Sequence, residues 1–157
     1  MPDDDEVTAF RVMNEIGILA QLGRALFEAR LPEGVLLPHF SLLNHLVRVR
    51  DGQTPLALAR AFQVPKTTMT HTLAVAERHG WVETRPNPRD GRSKEVWLTA
   101  SGRAFREESI AALAPDLARL ARDRPEAVRA LLPHLVSLRE YLDRARDGDQ
   151  PPNGSGS

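Results

Sequence analysis

Three cations, Arg89, Arg92 and Lys94, stand beside a single carboxylate, Asp90, within six residues of chain. Clustered guanidinium and ammonium groups can hold phosphates or enter a narrow minor groove, where the potential is most negative. A second set precedes them. Wound at 100° per residue, the stretch 67–80 places Met69, Leu73 and Ala76 on one side, with Thr72 and Gly80 at its edges. Thr67, His71, Ala74 and Arg78 fall on the opposite side. That side carries small hydroxyls, an imidazole and a guanidinium, and no large apolar group. Short polar side chains on a helix can reach base edges in a major groove.

Other chemistries find little support. The five histidines, His39, His45, His71, His79 and His134, form no HxxxH or HExxH pair, and there is no cysteine to assist them. Ordinary surface or helix-end histidines are the better reading, so neither a metal nor another cofactor is expected. No GxSxG elbow, phosphate-cradling glycine loop or recognisable pair of catalytic carboxylates occurs. Ser41, Ser93, Ser101 and Ser109 have no identifiable partner base. An enzyme is not expected.

The elements that position the two sets can be read from the same stretch. Gly80 stops the first helix, as a left-handed glycine commonly does. Trp81 to Arg85 reads as a strand, 86–91 as dense turn chemistry, and Arg92 to Leu98 as the returning strand. Thr99-Ala100-Ser101-Gly102 opens the next helix. A groove helix beside a basic hairpin is the outline of a winged helix-turn-helix, mainly α with a small β-hairpin wing.

Asp90-Gly91-Arg92-Ser93-Lys94, followed by Val96, Leu98-Thr99 and Gly102, resembles the wing signature of the MarR (multiple antibiotic resistance regulator) family. The resemblance extends over roughly 7–142, and the wing is its most specific part. It implies dimeric transcription factors that bind double-stranded DNA and are often released by small aromatic ligands. Carried onto this chain, it assigns DNA contacts to Lys66, Thr67, Thr68, Thr70, His71, Arg78, Arg89, Asp90, Arg92 and Lys94. Arg92 would enter the minor groove with Asp90 orienting its guanidinium, while Arg89 and Lys94 hold phosphates. An effector pocket is implied near the junction of the dimer helices and the DNA-binding lobe. Arg11, Met13, Ile16, His39, Phe40 and Leu43 are its candidates, with His39 or Arg11 meeting a carboxylate. The chain departs from the family pattern at Pro65, where a capping serine is usual; the expected cap then moves to Val64.

In chain order, 1–6 is an acidic lead expected to be flexible. Residues 7–30 form a long helix with a wide apolar stripe through Phe10, Met13, Ile16, Ala20, Gly23 and Phe27, broadened by Leu19, Leu22 and Leu26. A second helix covers 36–49, and Asp51-Gly52-Gln53 is a turn. Thr54-Pro55 is a strong helix start, a threonine N-cap before a proline in the first turn. Leu58, Ala59 and Phe62 point inward from that third helix, which with the groove helix forms the helix-turn-helix.

After the wing, a helix over 101–122 is followed by a fresh start at 123–126. Val128, Leu131, Leu135, Leu138 and Leu142 then recur at alternating steps of three and four, a coiled-coil-like seam. Pro115 and Pro133 predict kinks or breaks, and 147–157 a disordered tail. The expected organisation is one winged-helix domain over 7–146. Its DNA-binding lobe is 35–99, and 7–30 with 101–146 supply dimerisation helices whose surplus apolar surface predicts a twofold homodimer.

Net charge is zero over 157 residues, so the total favours no partner. The distribution does: 60–94 holds seven basic and three acidic side chains, a local +4 against −4 elsewhere. No apolar run approaches the ~20 residues a membrane span needs, and the acidic start is unlike a signal peptide. The expected setting is the cytoplasm, with no membrane partner. Three function classes compete: a DNA-binding regulator acting on a pseudo-palindromic operator, a winged helix that binds protein, and a ligand-binding protein or enzyme on a regulator's scaffold. A protein-binding wing has no physical need for arginines at its tip, and their presence favours the first.

Overall fold

A computed structural model describes residues 3–148. Six helices and one hairpin follow in the order α1 (Asp4–Glu28), α2 (Leu37–Arg48), α3 (Pro55–Ala61), α4 (Lys66–Arg78), β1 (Val82–Asn87), β2 (Asp90–Leu98), α5 (Ala100–Asp123) and α6 (Pro125–Gly148). This is the mainly helical, winged arrangement that the sequence predicts. The described residues fall into two compact units divided after Leu113, within α5.

The first unit holds the core. Leu42, Leu43 and Leu46 of α2, Leu58 of α3 and Val96 of β2 are completely or almost completely enclosed, and Met69, Leu73 and Ala76 of α4 close over them. Those three residues of α4 are the side that its periodicity predicts. Thr72 and Val75 are buried as well. At the start of α3 the Thr54 hydroxyl accepts from Ala57 N–H at 3.2 Å, and Pro55 follows it. Between α3 and α4 the turn passes through Gln63, whose φ of 55° lies in the left-handed region. Gly80 ends α4 with φ 71°.

The hairpin pairs antiparallel from Val82 opposite Leu98 to Pro86 opposite Lys94, then shifts register so that Asn87 faces Asp90. Strand pairing therefore invades most of the predicted 86–91 turn and leaves a two-residue tip. Pro86 is tolerated because β1 has no second neighbour to need its missing N–H. On the far side of β2, Gln53 forms an isolated antiparallel bridge to Val96, where the sequence reads as a plain turn.

Several boundaries differ from expectation for identifiable reasons. The acidic lead is not loose from Asp3 onward. Asp3 caps α1 by accepting from Glu6 N–H at 2.8 Å, and Asp4, Asp5 and Glu6 occupy the first turn. Negative charge there is favoured by the helix dipole. The cap of α4 is Pro65 itself rather than Val64: its φ of −56° and ψ of 148° turn the chain into the helix without any side-chain bond. Pro115 and Pro133 break neither helix, because each lies inside a continuous α5 or α6. The predicted tail begins two residues too early, since α6 runs to Gly148; residues 149–157 lie outside those described.

In the second unit α6 carries the predicted seam. Val128, Leu131, Leu138 and Leu142 remain exposed. Helix α1 of the first unit buries no residue at all and exposes Phe10, Leu19 and Leu22.

Candidate nucleic-acid interface

The site starts with the side chains of α4 that the core does not use. Lys66, Thr67, Thr68, Thr70, His71 and Arg78 are all exposed. The Thr70 hydroxyl donates to Lys66 C=O at 2.8 Å, so its proton is occupied while its oxygen stays open to a donor. Thr72, by contrast, is buried and donates to Thr68 C=O at 3.1 Å, which takes it out of any reading role.

The wing tip is built by side chains bonding to nearby main chain. Asn87 accepts from Arg89 N–H at 2.9 Å and donates to the Ser93 hydroxyl at 2.8 Å, which in turn donates to Asp90 C=O at 3.2 Å. Asp90 accepts from the main-chain N–H of Arg92 at 3.0 Å. It therefore orders the turn that carries Arg92, whereas the family resemblance gives it the guanidinium. Arg89, Arg92 and Lys94 project from this tip, exposed and with no ion pair among the described residues. Arg85, the fourth cation of the hairpin, is already committed. It pairs with Glu83 and lies over the Trp97 ring at 5.0 Å.

Below the tip, an aromatic stack joins α4 to α5. Trp81 lies between His79, at 4.2 Å, and Phe105, at 3.9 Å, with both rings nearly parallel to it. The approach is close enough that a Cβ on Gly102 would meet Trp81 C=O at 2.0 Å. Thr99 fastens the corner by donating to Gly80 C=O at 2.6 Å and accepting from Gly102 N–H at 3.0 Å.

An open cavity of about 680 Å³ lies against α4. Leu36, Phe62, Val64 and Val75 give it apolar walls, while His39, His71 and Arg78 supply polar groups and no carboxylate lines it. His39 is buried, and its Nδ1 accepts from Leu36 N–H at 3.0 Å. Burial lowers its pKa, and His71, His79 and Arg78 lower it further against the opposing pull of Glu28. The neutral ring thus carries its proton on Nε2. Glu28 completes this helix start by accepting from Leu37 N–H at 2.8 Å.

Of the six residues predicted to hold an effector, only His39 lines this cavity. Phe40 and Leu43 are in the core, the former 4.4 Å from Phe27, while Ile16 is half-buried and Arg11 and Met13 are exposed on α1. Sequence reasoning missed Glu28, and it missed the loop 51–53 behind β2. The one signal available for that loop was Asp51-Gly52, a pair suited to positive φ and to side-chain bonding of nearby N–H groups. Among the described residues no cluster of three potential ligands could hold a metal ion, and no helix is long and apolar enough to cross a membrane.

Comparison with known proteins gives consistent relatives. A sequence model of the MarR family matches residues 33–93. The transcriptional activatory protein BadR of Rhodopseudomonas palustris is 33% identical over 96 residues, which is 60% of this chain and 53% of that protein. The chain thus spans about half the length of the curated relative it matches. Among solved structures, a mutant MarR from E. coli complexed with operator DNA is 26% identical at a TM-score of 0.66, covering 86% of this chain and 97% of that one. The transcriptional regulator BldR from Sulfolobus solfataricus shares the fold at a TM-score of 0.74 and 23% identity, covering 90% of this chain and 99% of its own.

Proposed function

We propose, on the chain's similarity to the MarR family, that it is a member of that family and a sequence-specific transcriptional regulator binding double-stranded DNA as a homodimer. The observation that carries this reading is the state of its polar side chains. The outer face of α4 is left to solvent, and the wing tip holds three cations without internal partners among the described residues. Thr67, Thr70 and His71 read a major groove, flanked by Lys66, Thr68 and Arg78. Arg92 enters the adjacent minor groove, and Arg89 and Lys94 hold phosphates. Twofold symmetry requires a pseudo-palindromic operator with half-sites roughly 10 bp apart. The exposed apolar stripes of α1 and α6 support the dimer. This is a binding protein, not an enzyme, and its setting is the cytoplasm.

The regulator is a repressor, released by a small aromatic acid. The cavity beside α4 supports that part: its size suits such a ligand, its walls are apolar, and His39 Nε2–H and Arg78 can meet a carboxylate. Thr67, Thr68, His71 and Arg78 belong to both the cavity and the DNA face. A ligand there would therefore compete with DNA directly.

An anisotropy titration against a duplex selected by the wild type tests the reading. Arg92→Ala should cost on the order of 1–3 kcal/mol per half-site. Lys94→Ala should weaken all duplexes alike and reduce the salt slope by about one per lost phosphate contact, hence by about two for the dimer. An Arg92→Ala protein that binds as tightly as wild type would show that the wing does not read DNA, and binding without salt dependence would favour a protein partner.

A further inference from the structure

We infer that Asp51, in the loop between α2 and α3, is a positioning residue for DNA recognition, aiming Arg92 by holding the root of β2; the inference rests on the DNA-binding reading above. One carboxylate oxygen of Asp51 accepts two main-chain N–H groups, from Leu98 at 2.9 Å and from Gly52 at 3.0 Å. The two residues that follow complete a clamp. Gly52 N–H donates to Val96 C=O at 3.1 Å, and Val96 N–H donates to Gln53 C=O at 2.8 Å. Gly52 has φ 67°, and a Cβ there would lie 2.5 Å from the Trp97 ring, so only glycine lets the loop come this close. Gln53 is buried and donates to Arg50 C=O at 2.7 Å, tying the clamp back towards the end of α2.

These bonds satisfy the edge of β2 that faces away from β1, and they do so only at Val96 and Leu98. From Lys94 outward the wing is a free two-stranded hairpin. Arg92 lies four residues beyond Val96, about 13 Å along the strand. A rotation of about 10° at the root would displace it by about 2 Å, several times the roughly 0.5 Å range of a good hydrogen bond. The loop 51–53 connects α2 directly to the helix-turn-helix, so the same few bonds set the wing against the reading helix. Within the clamp, the Leu98 bond is the side-chain bond that reaches β2. An ionised acceptor holding two N–H groups is also the strongest kind of bond available there.

The test uses the full chain and a duplex enriched from a randomised pool by the wild type. Asp51→Ala should weaken binding to that duplex about tenfold, as expected when the Leu98 N–H is left without its acceptor. Asp51→Asn keeps an oxygen that can accept both bonds and should stay within about twofold of wild type. In an Arg92→Ala background Asp51→Ala should cost under about twofold, because a residue acting through Arg92 has nothing left to aim. Hydrogen exchange at the Leu98 amide, measured without DNA, should be accelerated by Asp51→Ala and not by Asp51→Asn. If Asp51→Ala does not fold, Asp51→Ser, whose hydroxyl stops short of Leu98, carries the same comparisons. The inference is overturned if the loss persists undiminished in the Arg92→Ala background, if Asp51→Asn is as weak as Asp51→Ala, or if Asp51→Ala binds like wild type. A wild type that enriches no duplex would remove the DNA-binding reading together with the inference, whereas any of the other three results leaves that reading standing.

Discussion

Leu42, Leu43 and Leu58 are fully enclosed, whereas Phe10, Leu22 and Leu132 keep 72, 63 and 64% of their surface exposed. All six sit on helices with apolar periodicity. The difference lies in what surrounds them. Helices α2, α3 and α4 and the wing root cover one another, so this lobe completes its own core. Neither α1 nor α6 buries a single residue over its whole described length. Such an apolar load is costly to leave in water at about 25 cal/mol per Å². The contrast teaches that one region completes its core by self-contact, while the other keeps its apolar stripes in solvent, which is the basis of the homodimer proposed above.

The sharpest way to break that comparison is to charge the seam. Leu135→Glu with Leu138→Glu should abolish the dimer altogether, giving monomers or insoluble protein in light scattering at micromolar concentration. A soluble wild-type monomer under the same conditions would show that the exposed stripes need no partner. Inside the lobe, Leu58→Ala should cost about 2–5 kcal/mol of unfolding free energy, from lost burial and the cavity left behind. Leu22→Ala should cost far less in a denaturant titration carried out under monomeric conditions. Comparable losses at the two positions would erase the distinction between the regions.

A pH titration probes the lobe alone. The folded-state pKa of His39 is lowered from its ordinary 6.5, first by burial and then by His71, His79 and Arg78. A depressed histidine binds its proton more readily in the unfolded chain, so its contribution is complete above that pH and is lost as pH falls below it. Protonation of Nδ1 would also remove the bond from Leu36 N–H. The melting temperature should therefore decline from pH 7 towards pH 5, and His39→Gln should flatten the decline. His45 is lowered by burial in the same direction, so a residual slope is expected to survive that substitution.

The smallest effect concerns the turn between α3 and α4. Gln63 holds a left-handed φ of 55° that glycine adopts without strain. Gln63→Gly should be neutral or stabilising by up to about 1 kcal/mol, strain relief offsetting the greater freedom of the unfolded chain. A marked loss in denaturant unfolding would mean that the Gln63 side chain supports the lobe in some other way.

The amino-acid order alone determined what depends on neighbours a few residues apart. The face of α4 that packs inward, the Thr54-Pro55 helix start, the stop at Gly80 and the basic hairpin all follow from 3.6- and 2-residue periodicity and turn chemistry. Wing residues 90–102 also carried the family resemblance, which the comparisons bear out. Only the tertiary structure decided which groups distant along the chain share a hydrogen bond. Asp51 meets Leu98 across 47 residues, Glu28 caps the start of α2, and Gln53 bridges to Val96. Each of these polar groups could equally have faced water. The backbone donors that chose them are left open by local structure alone, and burial makes leaving such donors unpaired too costly. Arg85 is a further case: its packing against Trp97 and pairing with Glu83 are tertiary facts, while Arg92, beyond the clamped root of β2, is left outside.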